Sequence, residues 1–130
     1  MSLNDPLANI LSKILNAEKV GKRECVASPS SRLILDVLGI MKKKEYIGIF
    51  NSLDDGKGGV IKIQLLGHIN KCGVIKPRSS FTLRNIEKFE KRFLPAEGFG
   101  TIIVSTSKGI IPHEEAINKK IGGKLLAYIY

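Results

Sequence analysis

Leu3, Leu7, Ile10, Leu11, Ile14 and Leu15 recur at the spacing that gathers apolar side chains on one helix face. Asp5 followed by Pro6 supplies an N-cap and a first helical residue, so an amphipathic helix is predicted at the start of the chain. A second start signal, Ser28-Pro29, leads into Leu33, Ile34, Val37, Leu38 and Met41, and Lys42, Lys43 and Lys44 close that stretch with charge suited to a helix C-terminus. Between these helices, Glu24-Cys25-Val26-Ala27 reads as a short strand. Tyr46 to Leu53 and Val60 to Leu66 are rich in β-formers and flank Asp54-Asp55-Gly56-Lys57-Gly58-Gly59, which predicts a hairpin with a flexible turn. These elements make up an α/β lobe over residues 1–70.

Beyond Gly67 the pattern shortens. Strands are predicted near Gly73 to Ile75, Ser80 to Arg84 and Gly100 to Val104, with a short charged helix from Ile86 to Arg92. Pro112 opens a further helix with Glu114 and Glu115 in its first turn, Lys119 and Lys120 in its last and Gly122 beyond it, in accord with the macrodipole and with a glycine C-cap. The last strand runs from Lys124 to Tyr130. Simple alternation puts Leu126, Tyr128 and Tyr130 on one face and Leu125, Ala127 and Ile129 on the other, so burial on both faces is expected. The reading is an α+β chain of two small lobes: an α/β lobe, and a β-rich lobe with a short helix over residues 71–130.

At 130 residues with 43% apolar content, the chain can build an ordinary core without disulfide or metal staples. Cys25 and Cys72 stand far apart and without partners at metal-ligand or redox spacing, which predicts reduced, buried thiols and a cytoplasmic compartment. No apolar run approaches a membrane span, and the N-terminus lacks the basic region of a signal peptide. Charge changes the picture most. The net +9 is concentrated, with balances of +1 over residues 1–40, +7 over 41–95 and +1 over 96–130. Such a field selects polyanions, and nucleic acid is the natural partner because each neutralised phosphate releases counterions. With three Tyr, five Phe and no Trp, a sheet face that stacks several bases is disfavoured.

Ser105-Thr106-Ser107-Lys108-Gly109 is the most informative segment, with three hydroxyls and a lysine after a strand and before a glycine. Each hydroxyl donates and accepts, so such a loop can engage base edges, 2′-hydroxyls and phosphates of an irregular RNA groove, although ordinary turns use the same residues. Ser105 and Lys108 also fit a Ser-x-x-Lys nucleophile pattern, but its companion elements are absent, so a small hydrolase is the weaker reading. Gly122-Gly123-Lys124 lacks the upstream glycine of a phosphate loop and reads as a turn into the last strand. His68 and Cys72 lack a second ligand pair, and no metal or other cofactor is expected. His113, Glu114 and Glu115 fit capping and dipole roles. Lys42 to Lys44 are either a solvated helix end or a phosphate-contacting surface, while Lys76, Arg78 and Arg84 fall where the charge excess is greatest and are candidates for phosphate contacts.

Ser105-Thr106-Ser107-Lys108-Gly109-Ile110, then His113-Glu114-Glu115-Ala116, then Gly122-Gly123-Lys124-Leu125-Leu126-Ala127-Tyr128 resemble, in order, the STS-x-G loop, helix and final strand of the small-subunit ribosomal protein S-eight family. Asp5-Pro6-Leu7-Ala8, Asn16-Ala17 and Pro29-Ser30-Ser31 are similar to its N-terminal helix and PSS helix start. Cys72-Gly73-Val74-Ile75-Lys76-Pro77-Arg78 resembles the archaeal and eukaryotic branch. The resemblance implies a non-enzymatic protein in two lobes, monomeric when free. It implies binding to a helix with an irregular internal loop in the central domain of small-subunit rRNA, a role in assembly, and neighbouring ribosomal proteins as partners. It also raises repression of translation through a similar structure in the chain's own messenger RNA. Carried over by motif, Ser105, Thr106, Ser107 and Gly109 enter the RNA core, and the candidate set extends to Lys108, Lys76, Arg78, Arg84, Ser30, Ser31 and Arg32. Lys76 to Pro95 departs from the bacterial pattern, so contacts are not transferred there. A generic basic RNA-binding module is the first rival reading.

Overall fold

Asp5 caps the first helix as its sequence demands: its carboxylate accepts from the Ala8 N–H at 3.0 Å and Pro6 follows at the first helical position. The structure, a computed structural model, describes residues 5–28, 31–53, 59–96 and 98–130. Leu3, Pro29, Ser30 and the predicted turn from Asp54 to Gly58 lie outside the described residues. The chain divides into two compact units, Met1–Lys71 and Cys72–Tyr130.

In the first unit the order is α1 (Pro6–Lys19), β1 (Glu24–Ala27), α2 (Arg32–Lys43), β2 (Ile47–Leu53) and β3 (Val60–Leu65). The strands form an antiparallel sheet in the order β1-β3-β2. On β3, Ile61, Ile63 and Leu65 are buried while Lys62 and Gln64 are exposed, the alternation of a sheet covered on one face. α1 packs against β1 and α2 against β2, burying Leu7, Ile10, Leu11 and Ile14 from one helix and Ile34, Val37, Leu38 and Met41 from the other. The cap of α2 is Ser31, whose hydroxyl accepts from the Ile34 N–H at 3.3 Å, so the helix begins later than the Ser28-Pro29 signal suggests. Both carboxylate oxygens of Glu18 accept backbone N–H groups, from Gly67 at 3.1 Å and Ile69 at 3.0 Å, and so tie the segment after β3 to the end of α1.

The second unit contains β4 (Cys72–Val74), β5 (Ser80–Phe81), α3 (Ile86–Phe93), β6 (Thr101–Thr106), β7 (Gly109–Pro112), α4 (His113–Lys119) and β8 (Gly123–Ile129). Its antiparallel sheet runs β4-β8-β6-β7, with β5 also paired to β8. Ile75, Phe81, Ile86, Ile102, Val104, Ala116 and Leu125 belong to one buried cluster. Both sheets are antiparallel, and the α+β class read from the sequence holds.

Three details depart from the sequence reading. Strand β7 is absent from the sequence pattern, since four residues bounded by a glycine and a proline carry little β signal. The register of β6 on β8 pairs Ile103 with Ala127 but Val104 with Leu125, so Leu126 is an extra residue. Parity therefore slips, and Leu125, not Leu126, shares the cluster against which Tyr128 and Tyr130 pack. The left-handed residue after α4 is Lys120 (φ 56°), not a glycine. Gly122 instead meets a packing demand, since a Cβ there would stand 2.6 Å from the Phe81 carbonyl oxygen.

Candidate nucleic-acid interface

The Ser105–Gly109 segment is the head of the β6–β7 hairpin. Ser105 pairs with Ile110 and Thr106 with Gly109, leaving Ser107 and Lys108 as the two turn residues. Gly109 has φ +99°, which glycine adopts without a Cβ penalty. The Thr106 hydroxyl donates to the Gly109 carbonyl at 2.9 Å and accepts from the Lys108 N–H at 3.1 Å. Its donor is thus engaged within the turn, whereas Ser107 and Lys108 are exposed at the tip. The three hydroxyls are not equivalent: one closes the turn and its neighbour is presented by it.

The rest of the surface comes from β8. Lys124, exposed, pairs with Ser105 on one side and Ser80 on the other. β8 approaches β6 closely here because Gly123 has no side chain, and a Cβ at that position would collide with the Ser105 carbonyl oxygen. The chain around Lys76 and Arg78, both exposed, is anchored to the same end of β8: Ile75 donates to the Leu126 carbonyl and Leu125 donates to Ser79, each at 2.9 Å. Arg84 lies in the exposed turn after β5, where the Thr82 N–H donates to Asn85 Oδ1 at 2.7 Å. Lys76, Arg78, Arg84 and Lys108 therefore gather around the start of β8, and Lys124, read from sequence as part of a plain turn, joins them. A signal for Lys124 existed in the Gly-Gly pair before it, which marks close backbone approach at the beginning of a strand.

Ser31 and Arg32 belong to the first unit. Ser31 accepts the Ile34 N–H as a cap, and Arg32, with its side chain 90% exposed, stands 3.4 Å from Asp36 as an i,i+4 pair. Ser30 lies outside the described residues. Lys42, Lys43 and Lys44 are exposed at the end of α2. His113, expected as a polar helix start, is instead buried, and its Nδ1 accepts from the Ile102 N–H at 3.0 Å. The accepting Nδ1 places the ring proton of the neutral form on Nε2, which stands 3.7 Å from Glu90. Cys25 and Cys72 are buried and not joined in a disulfide, and burial pushes the Cys25 thiol above the ordinary thiol range against the opposing pull of Lys13 and Lys22. Among the described residues there is no group of three or more His, Cys, Asp or Glu side chains that could hold a metal ion, and no helix long and apolar enough to cross a membrane.

The model of the Ribosomal protein S8 family matches residues 5–130, essentially the whole chain. The chain belongs to that family. It is accordingly a small-subunit ribosomal protein that binds rRNA, and its place is in the ribosome among other ribosomal proteins. The family is structural and RNA-binding rather than enzymatic. Ser105 and Lys108, which fit a Ser-x-x-Lys nucleophile pattern in one dimension, sit respectively in a paired strand position and at an exposed hairpin tip.

Proposed function

We propose that the β-rich unit is the specific reader of rRNA in this protein, and that its target is a helix with an irregular internal loop in the central domain of small-subunit rRNA. The hairpin tip carries the reading. Thr106 closes the turn through its hydroxyl, which leaves Ser107 and Lys108 projecting from a rigid two-strand support. Ser107 supplies a small donor and acceptor for base edges or 2′-hydroxyls. Lys76, Arg78, Arg84, Lys108 and Lys124 hold the flanking phosphates and set the orientation of the tip. Ser31 and Arg32 add backbone contacts from the first unit. Binding of this kind nucleates folding of the rRNA helix and so supports assembly of the subunit, and the same surface accepts a matching fold in the chain's own messenger RNA.

The test compares affinity for a central-domain rRNA fragment with affinity for a scrambled hairpin of equal length, at moderate and high salt. A preference of roughly a thousandfold that persists as salt rises is the expected result. Equal, salt-labile affinities would reduce the protein to a generic basic module.

A further inference from the structure

Strand β7 is an edge: it pairs with β6 alone, from Thr106–Gly109 at the turn to Ile103–Pro112 at the base. Alternation does not set its register. Ile110 and Ile111 are adjacent isoleucines, and Thr101, Ile102, Ile103 and Val104 of β6 are all buried, so sliding β7 by one residue exchanges one isoleucine for the other at little hydrophobic cost. The turn allows the slide as well. With Thr106 opposite Ile110, Ser107-Lys108-Gly109 would be a three-residue loop ending in glycine, which is a common hairpin connection. Strand β8 gives β6 only interrupted guidance, because their pairing shifts between Ile103 and Val104. At the base of the hairpin, counting on from Ile103–Pro112 places Ile102 opposite His113, where the backbone leaves the sheet to begin α4. The imidazole supplies that rung: the Ile102 N–H donates to His113 Nδ1 at 3.0 Å, with the histidine only 2% exposed.

The ring is held on its other sides. Nε2 faces Glu90 of α3 at 3.7 Å, and Glu114 Oε1, 3.4 Å from Nδ1, accepts from the buried Thr101 hydroxyl at 3.1 Å. Strand β6 thus meets the start of α4 through two adjacent polar contacts. Such contacts are directional where apolar packing is not, because a β7 displaced by one residue carries the ring away from the Ile102 N–H and leaves a buried donor without an acceptor. We propose that His113 is a positioning residue for the rRNA-reading hairpin: its Nδ1 fixes the β6–β7 register from the base and so decides which residues stand at the tip. In the native register Ser107 and Lys108 form the turn, held by the Thr106 hydroxyl on the Gly109 carbonyl. In the displaced one Gly109 joins the loop, Thr106 faces Ile110 and the two tip side chains are re-aimed. The consequence for RNA rests on the reading of this tip as the specific reader, whereas the fixing of register does not.

The test compares the full-length parent with His113→Phe, which fills the space and removes the acceptor, and with His113→Asn, whose Oδ1 stands where Nδ1 does. Cross-strand proton contacts measured by NMR give the register directly, and the same proteins are titrated with the central-domain rRNA fragment and with the scrambled hairpin. In the parent and in His113→Asn, Ser105 should contact Ile110. In His113→Phe, contacts of Ser105 with Ile111 should appear and the amides of Ser107, Lys108 and Gly109 should shift. Its preference for the fragment should fall about tenfold, the scale of one buried donor left without a partner. Affinity for the scrambled hairpin and the salt slope should match the parent, since no phosphate contact is removed. Native register in His113→Phe, or the same slip in His113→Asn as in His113→Phe, would overturn the proposal. Should His113→Phe fail to fold, His113→Gln, whose Oε1 falls at the place of Nε2 instead, takes its part in the comparison. Lack of any preference in the parent would sink the reading of the tip, while the proton contacts would still decide the role of His113.

Discussion

Thr106 and Ser107 carry the same functional group one position apart, yet the fold gives them different work. Thr106 bonds twice within its own turn, and Ser107 stands at the exposed tip. Thr106→Val keeps the shape and removes the hydroxyl. It should lower stability by about 1 kcal/mol in thermal melts and weaken rRNA binding by loosening the turn. Ser107→Ala should leave the melt unchanged and lower affinity for the rRNA fragment, and unchanged affinity would remove Ser107 from the reader. Cys25 yields a prediction with a definite sign. Burial raises its pKa in the folded state, so the folded chain holds the thiol proton more tightly than the unfolded chain. Its contribution to stability is complete below the ordinary thiol range and is lost as pH rises through that range toward the folded value. Alkylation of Cys25 at neutral pH should accordingly be slow and should accelerate on adding alkali or on unfolding, as followed by mass spectrometry.

At the scale of elements, glycine and carboxylate positions matter more than helix propensity. Gly123 lets β8 lie against the Ser105 backbone, so Gly123→Ala should cost about 1–3 kcal/mol or more and disturb rRNA binding through the hairpin, measured by denaturant unfolding and by affinity. Glu18 ties the end of α1 to the segment after β3. In Glu18→Ala the amides of Gly67 and Ile69 should lose protection from hydrogen exchange while those of β3 keep theirs. The caps at Asp5 and Ser31 belong to motifs readable from sequence, although α2 starts at the later of two plausible signals. Strand β7 and the extra residue Leu126 were not readable, because short pairings and register slips depend on what lies across the sheet.

For the whole molecule, the uneven charge was plain from counting, while its arrangement was not. Lys76, Arg78, Arg84, Lys108 and Lys124 are scattered along the sequence, and antiparallel pairing to β8 and β6 draws their segments together. Replacing Lys76, Arg78 or Lys124 with Gln should weaken specific and scrambled RNA binding alike. Each replacement should lower the slope of log affinity against log salt by about one for every phosphate that is no longer neutralised. An unchanged slope would exclude that residue from the clamp. The family resemblance visible in the hairpin, α4 and final-strand motifs agrees with a family match over residues 5–130.

By itself the sequence determined what neighbours within a turn can decide. Asp5-Pro6 starts a helix, the alternation through Ile61, Ile63 and Leu65 makes a one-sided strand, and the excess of lysine and arginine calls for a polyanion. Tertiary structure decided the rest. It buried His113 against the Ile102 N–H, turned Gly122 and Gly123 into points of close approach, and separated the Thr106 hydroxyl from that of Ser107. Such outcomes depend on groups distant in sequence meeting across a sheet, where a buried donor must find an acceptor and a Cβ must find space.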